Sequence, residues 1–255
     1  MVMKTNFIIE NFYHRFNGEK GVIGKSERGK NIYYFAVKKT AFPKIIFTYS
    51  IHAREFITAH LGILQLLSFY KNGKIGSAYF VPLLNPDGVE ICQNKKPLYK
   101  ANANGVDLNV NFRARWGLGE KNVTVKGDEN YIGKKPFSES ESRAIRDFTL
   151  LVEPDMSVSY HSKGEEIYYK FHQDKEREKR DFLLAKKVAK VTKYKIKETP
   201  NSCGGYKDWC IMNLKIPSLT IEVGSDKLTH PIGLQSLRKI FDKNKKVVNC
   251  LMESL

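Results

Sequence analysis

Apolar positions change period along this chain, and each change marks an element. Lys44-Ile-Ile-Phe-Thr-Tyr49 is a short β-branched and aromatic run of strand length, and Glu55 to Tyr70 carries apolar residues at helical spacing. Upstream, Gly21-Val-Ile-Gly24, a Ser26-Glu-Arg-Gly29 turn and Ile32-Tyr-Tyr-Phe-Ala-Val37 predict a hairpin within residues 20–40. Downstream, Ser77 to Leu84 predicts a strand leading into Asn85-Pro-Asp-Gly88, whose Asn-Pro and Asp-Gly pairs signal a turn. A loop-rich stretch then runs to about Pro136, and a loop of that length inside a compact domain is usually functional.

Ser138-Glu-Ser-Glu141 has the form of a capping box opening a helix to Leu151, which Pro154 ends. Strands follow at Asp155–Tyr160, Glu166–Tyr169 and Ser218–Val223, with helices at Lys175–Lys190, Gly205–Leu214 and Gly233–Leu251. This alternation predicts an α/β fold: a mixed sheet, mixed because of the early hairpin, with helices on both faces and a site at strand ends. With 255 residues, 42% of them hydrophobic, the chain can bury a full core, and residues 1–255 are expected to form one domain.

Composition narrows the function classes. The net charge of +16 invites a nucleic-acid partner, but the 43 Lys and Arg residues are spread from Lys4 to Lys246 without a recognisable nucleic-acid module, so none is expected. The charge reads as a solvated surface, with attraction to carboxylate-rich substrates as its second use. No apolar run of about 18 residues exists, so no membrane span is expected. Residues 1–14 lack the apolar core of a secretory signal, which gives a cytoplasmic expectation, with release to the cell wall by lysis left open. Cys92, Cys203, Cys210 and Cys250 are scattered and form no Cys-x-x-Cys pair, which speaks against a disulfide framework or a thiolate zinc site.

Candidate chemistry begins at Tyr49-Ser-Ile-His-Ala-Arg-Glu55, where His52 and Glu55 flank a strand-to-helix corner. An imidazole and a carboxylate so placed can bind Zn²⁺, which takes about four ligands and in catalytic sites usually keeps one position for water. A helix-capping role for the same pair is the alternative. His161 ends a strand and can point into the same crevice. Asp107, in the long loop, can accept the free ring N–H of a ligating histidine. Glu222 sits near another strand end, where a buried carboxylate is costly without a partner or a task.

These residues, in this order, resemble the zinc carboxypeptidase family over most of the chain. The matching segments are His52-Ala-Arg-Glu55, Asn85-Pro-Asp-Gly88, Gly105-Val-Asp-Leu-Asn109, Ser159-Tyr-His-Ser162, Gly204-Gly-Tyr-Lys-Asp-Trp209 and Thr220-Ile-Glu222. The resemblance implies a twisted mixed sheet of about eight strands. It also implies one zinc ion per chain held by His52, Glu55 and His161, Asp107 supporting His52, and Glu222 as catalytic base. Lys100 stands where the family uses an arginine to stabilise the oxyanion, and is expected in that role.

The chain departs from digestive-type members. They hold the substrate's terminal carboxylate with an arginine immediately after the Asn of the Asp-x-Asn segment; here Asn109 remains and Val110 follows. The tyrosine that closes over their site is absent, because the position reached is Pro200. At the base of their specificity pocket this chain has Lys207, which is expected to draw an acidic substrate group. These features are similar to the bacterial γ-D-glutamyl-meso-diaminopimelate peptidases, which cut peptidoglycan stem peptides. The resemblance implies a peptide or muropeptide substrate bound by Arg54, Asn109 and Lys207, with Arg113 and Arg115 as further cations. Two alternatives stay open: a carboxypeptidase removing an acidic or D-configured C-terminal residue, and a cell-wall-binding protein without catalysis. The oligomeric state is not legible.

Overall fold

Three neighbouring strands running in one direction place their carboxyl ends together, and the rest of the sheet flanks them. The strands are β1 (Glu19–Lys25), β2 (Asn31–Lys38), β3 (Lys44–Tyr49), β4 (Ser77–Val81), β5 (Met156–Ser162), β6 (Glu166–Tyr168), β7 (Lys195–Lys197) and β8 (Ser218–Val223). They pair in the order β1-β2-β4-β3-β5-β8-β6-β7. The β4-β3-β5-β8 centre is parallel, β1 and β2 add antiparallel at one edge, and β6 runs antiparallel to β8 at the other. The computed structural model describes residues 4–127, 129–199 and 201–255.

Side chains alternate across each strand, and this alternation separates core from chemistry. Ile45, Phe47 and Tyr49 of β3, Met156, Val158 and Tyr160 of β5, and Leu219, Ile221 and Val223 of β8 enter one core. That core is closed by α2 (Ile57–Asn72), α5 (Lys175–Thr192), α7 (Leu237–Asn244) and α8 (Val247–Met252). Each fully buried aromatic or aliphatic side chain there contributes roughly 1.5–3 kcal/mol. Tyr49 and Tyr160 stack at 4.9 Å beneath the strand ends. Gln65 accepts from one hydroxyl and donates to the other, at 2.8 Å each, so neither buried hydroxyl is left unpaired. The opposite face packs on α4 (Ser140–Val152) and α6 (Tyr206–Trp209), and there the last strand positions carry Ser159, His161, Thr220 and Glu222.

Several expected elements differ. Asn85-Pro-Asp-Gly88 is not a free turn; it opens α3 (Pro86–Asn94). Asn85 is the N-cap, its side chain accepts from Gly88 N, and Pro86 occupies the first turn, where its missing N–H costs nothing. Glycine is required at position 88 because a Cβ would lie 2.3 Å from the Ala101 carbonyl oxygen. The Ser138–Glu141 capping box does not form. Ser138 instead hydrogen-bonds Glu139 and Asn111, Glu141 turns to Asn102 and Glu27 N, and Glu27 accepts from Ser140 N at the helix start. Buried tertiary partners outcompete the local cap. The expected Gly233–Leu251 helix is broken at Lys245 and Lys246 into α7 and α8, after a short 3₁₀ turn. α1 (Thr5–Arg15) and the three-residue β7 lie outside the expected elements.

Candidate metal centre and its cavity

The chain leaves β3 through Ser50, which takes a left-handed conformation (φ 50°), its N–H donating to Thr58 Oγ1. A single 3₁₀ turn at Ala53–Glu55 follows, with Glu55 N donating to His52 O. This corner makes a three-residue spacing into a contact: His52 Nδ1 lies 2.9 Å from Glu55 Oε1. His161, at the end of the neighbouring β5, brings its Nδ1 to 3.2 Å from His52 Nδ1 and 3.1 Å from Glu55 Oε2. Ligands on a tetrahedral zinc with bonds of about 2.0–2.1 Å stand about 3.3 Å apart. Two imidazole nitrogens and a carboxylate at these separations form a donor set for one small divalent cation, and all three residues are buried.

The outer ring nitrogens are also held. Asp107 Oδ1 lies 3.1 Å from His52 Nε2, and an ionised carboxylate only accepts, so Nε2 carries a hydrogen and Nδ1 is the ring nitrogen left to face a cation. His161 Nε2 is 3.0 Å from Ser159 Oγ. Asp107 is fixed in turn by Asn109 N, which donates to Oδ1, and by the Lys100 ammonium 2.7 Å from Oδ2. That last contact is an ion pair rather than an angled hydrogen bond, and Oδ2 has no other partner.

Burial works against charge on these groups, and their neighbours decide which charges survive. Glu55 and Asp107 outweigh burial on His52 and raise its pKa to about 9. Burial opposes ionisation of Glu55, yet His52 and His161 hold its carboxyl well below the usual range. Asp107 is held low in the same way, by Lys100 and His52. Burial pushes His161 down. Glu222 has no such partner; burial first, and then the Glu55 charge, push its pKa well above the ordinary carboxyl value. Its Oε2 is covered and without a hydrogen-bond partner.

A cavity of about 500 Å³ opens over His52 and Glu222. Lys100, Asp107, Asn109, Val110, Glu120, Lys121, Asn122, Thr199, Asn201 and Ser202 also line it. Asn109 Oδ1 accepts from Tyr206 N at 3.2 Å, and the described residues offer its Nδ2 no acceptor. Gly204 (φ 89°) packs on the Val110 backbone, where a Cβ would meet the carbonyl oxygen at 2.9 Å, which accounts for the first glycine of that motif.

The expected cations are placed differently. Lys100 reaches the cavity, but its ammonium is shared between Asp107 and Asn130 Oδ1 at 2.6 Å. Arg54 pairs with Glu129 at 2.9 Å and reaches the Leu98 carbonyl, away from the cavity lining. The expectation that Lys207 offers its charge to substrate is corrected: it is buried, pairs with Asp208 at 2.6 Å and donates to the Lys170 carbonyl at 3.0 Å. The adjacent aspartate satisfies the ammonium that a substrate was expected to satisfy. Arg113 and Arg115 are exposed and do not line the cavity. Pro200 lies outside the described residues. Glu120, Lys121, Asn122, Thr199, Asn201 and Ser202 also line the cavity and belong to none of the motifs; for the first three the only sequence signal is the length of the loop before Pro136.

Fold and site together define an α/β scaffold with a donor set for one metal ion at its strand ends. The chain belongs to the zinc carboxypeptidase family, whose model matches residues 17–238, and so to the zinc-dependent hydrolases. Gamma-D-glutamyl-L-diamino acid endopeptidase 1 of Lysinibacillus sphaericus is 28% identical over 78% of this chain and 59% of that protein. The protein YqgT of Bacillus subtilis is 25% identical over 89% of this chain and 69% of its own length. This chain therefore spans less than two thirds of the first of these relatives. In fold it matches bovine thrombin-activatable fibrinolysis inhibitor with a TM-score of 0.87, covering 99% of this chain and 97% of that one at 23% identity. No helix among the described residues is long and apolar enough to cross a membrane.

Proposed function

We propose that this protein hydrolyses an amide bond in peptidoglycan stem peptides, of the γ-D-glutamyl-meso-diaminopimelate type. The observation that carries the hydrolytic part is the unpartnered Glu222 carboxylate in the same cavity as the His52, Glu55 and His161 donor set. The substrate class is supported by Val110, which stands where a carboxylate-binding arginine serves the exopeptidases, and by the Lysinibacillus sphaericus relative, whose name specifies γ-D-glutamyl-L-diamino acid endopeptidase activity.

Bound zinc supplies Lewis acidity, which polarises a carbonyl and makes water acidic near neutral pH. The remaining work falls to the protein's own groups. Asp107 fixes the His52 tautomer so that Nδ1 faces the metal position, and Ser159 orients His161. Glu222 takes the proton of the attacking water and returns it to the leaving nitrogen. Asn109 Nδ2 and Lys100, both at the cavity wall, are the donors available to the substrate's carbonyl oxygen.

Incubation of the zinc-loaded protein with a stem tripeptide and tetrapeptide, followed by mass spectrometry, tests the proposal. Cleavage between D-glutamate and the diamino acid is expected. Release of only the terminal D-alanine would replace this reading with a carboxypeptidase, and absence of any cleavage would remove the substrate class.

A further inference from the structure

We infer that Lys121 is the residue that receives a carboxylate of the substrate, taking over the task that an arginine at position 110 performs in exopeptidases. The inference rests on the proposed substrate class, because a γ-D-glutamyl-diaminopimelate peptide carries carboxylates beside the scissile amide. A cavity that binds such a peptide needs a positive group at its wall.

Elimination and placement lead to the same residue. Arg54 and Lys207 are tied to Glu129 and Asp208, and Arg113 and Arg115 lie off the cavity lining. Lys100 lines the cavity, but Asp107 already neutralises it. Lys121 is the remaining cation on that lining, and among the described residues no carboxylate lies within ion-pair distance of it.

The backbone holds Lys121 on the lining of the cavity that His52 and Glu222 share. Asn122 N donates to Gly119 O at 3.0 Å, a four-residue turn with Glu120 and Lys121 at its two corners. The turn is clamped to Asn201 twice: Glu120 N donates to Asn201 O at 3.0 Å, and Asn201 Nδ2 donates to Glu120 Oε2 at 2.9 Å. This clamp also settles the local charge. The Glu120 carboxylate is drawn to Asn201 and leaves the neighbouring ammonium unneutralised.

The test measures kcat/KM for wild type, Lys121→Met, Lys121→Arg and Lys121→Glu on a stem tripeptide and on versions with its carboxylates converted, one at a time, to carboxamides. One carboxamide should cost wild type roughly five- to thirty-fold. Lys121→Met should show the same loss on the parent peptide and no further loss on that carboxamide. Lys121→Arg should recover most of the rate, and Lys121→Glu should fall below Lys121→Met on the parent alone. Zinc content and Tm should be unchanged, since the side chain is exposed. If wild type cuts the peptides while Lys121→Met loses nothing, or loses equally on every version, Lys121 is not the receptor. If wild type cuts none of them, the substrate class fails and this inference fails with it.

Discussion

His161 and Glu222 stand directly opposite each other on parallel strands β5 and β8. The register pairs Ser157 with Ser218 and Ser159 with Thr220 on the same face, so the apolar residues between them all turn to the other side. A slip of one residue would bury Glu222 in the core and put Ile221 or Val223 beside the metal position; the hydrophobic alternation forbids it. The candidate base is therefore positioned by the same pairing that positions the candidate ligand.

Glu222→Gln should keep the fold and the zinc content while losing about 10² to 10⁴ in kcat. The amide preserves shape and removes the proton acceptor. A variant retaining a tenth of wild-type turnover would assign the base elsewhere.

Metal affinity should separate direct ligands from their support. His161→Ala should fail to retain zinc through dialysis, because one of three protein donors is gone. Asp107→Asn should still bind, about 10- to 100-fold more weakly, because the His52 tautomer is no longer held by a carboxylate. Titration against a zinc-competing chelator resolves the two, and equal affinities for wild type and Asp107→Asn would remove the supporting role.

Lys207→Met should act on stability rather than on substrate discrimination. The Lys207 and Asp208 side chains are 8% and 6% exposed, so truncating one leaves the other charge buried and unpaired, at a cost of about 3–5 kcal/mol. For a chain of this size that lowers Tm by roughly 10 °C. An unchanged Tm together with lost preference for acidic peptides would restore Lys207 to the pocket.

The Glu141 carboxyl should make folding pH-dependent. Burial raises its pKa from 4.5 to about 7. Between those values the folded chain holds a proton that the unfolded chain has released, so stability falls as pH rises through this window and the slope ends above about pH 7. The total change attributable to the group is at most about 3 kcal/mol. Glu141→Gln carries a constant offset, because the two carboxylate oxygens accept hydrogen bonds from Asn102 and Glu27 N. Denaturant midpoints from pH 4.5 to 8 should nevertheless lose that slope; an identical slope in wild type and variant would show that Glu141 does not titrate there.

Much of this protein was determined by local sequence. The runs Lys44–Tyr49 and Ser218–Val223 coincide with β3 and β8, because apolar periodicity and strand burial are the same physical demand seen from two sides. The ligand types at His52, Glu55 and His161 and the acid at Glu222 were legible for a related reason: few residue types bind a divalent cation or accept a proton, and they stand at strand ends. The helix at Pro86–Asn94 is also encoded locally, but an Asn cap followed by Pro equally predicts a turn, because the same residues serve both.

Partner choice was a different matter. Glu141 had a capping role available three residues from Ser138, and took Asn102 instead because burial raises the value of every hydrogen bond it can complete. Lys207 was expected to await a substrate acid, and the adjacent Asp208 already supplies one. Lys100 was expected beside the oxyanion, and folding also pairs it with Asp107. Lys121 carried no motif at all and is brought to the cavity by a turn clamped to Asn201, eighty residues further along the chain. Sequence determined which charges and donors exist. Only the tertiary structure decided which remain unpaired, because an ion pair or hydrogen bond depends on distances of about 3 Å that residues far apart in the chain acquire by folding.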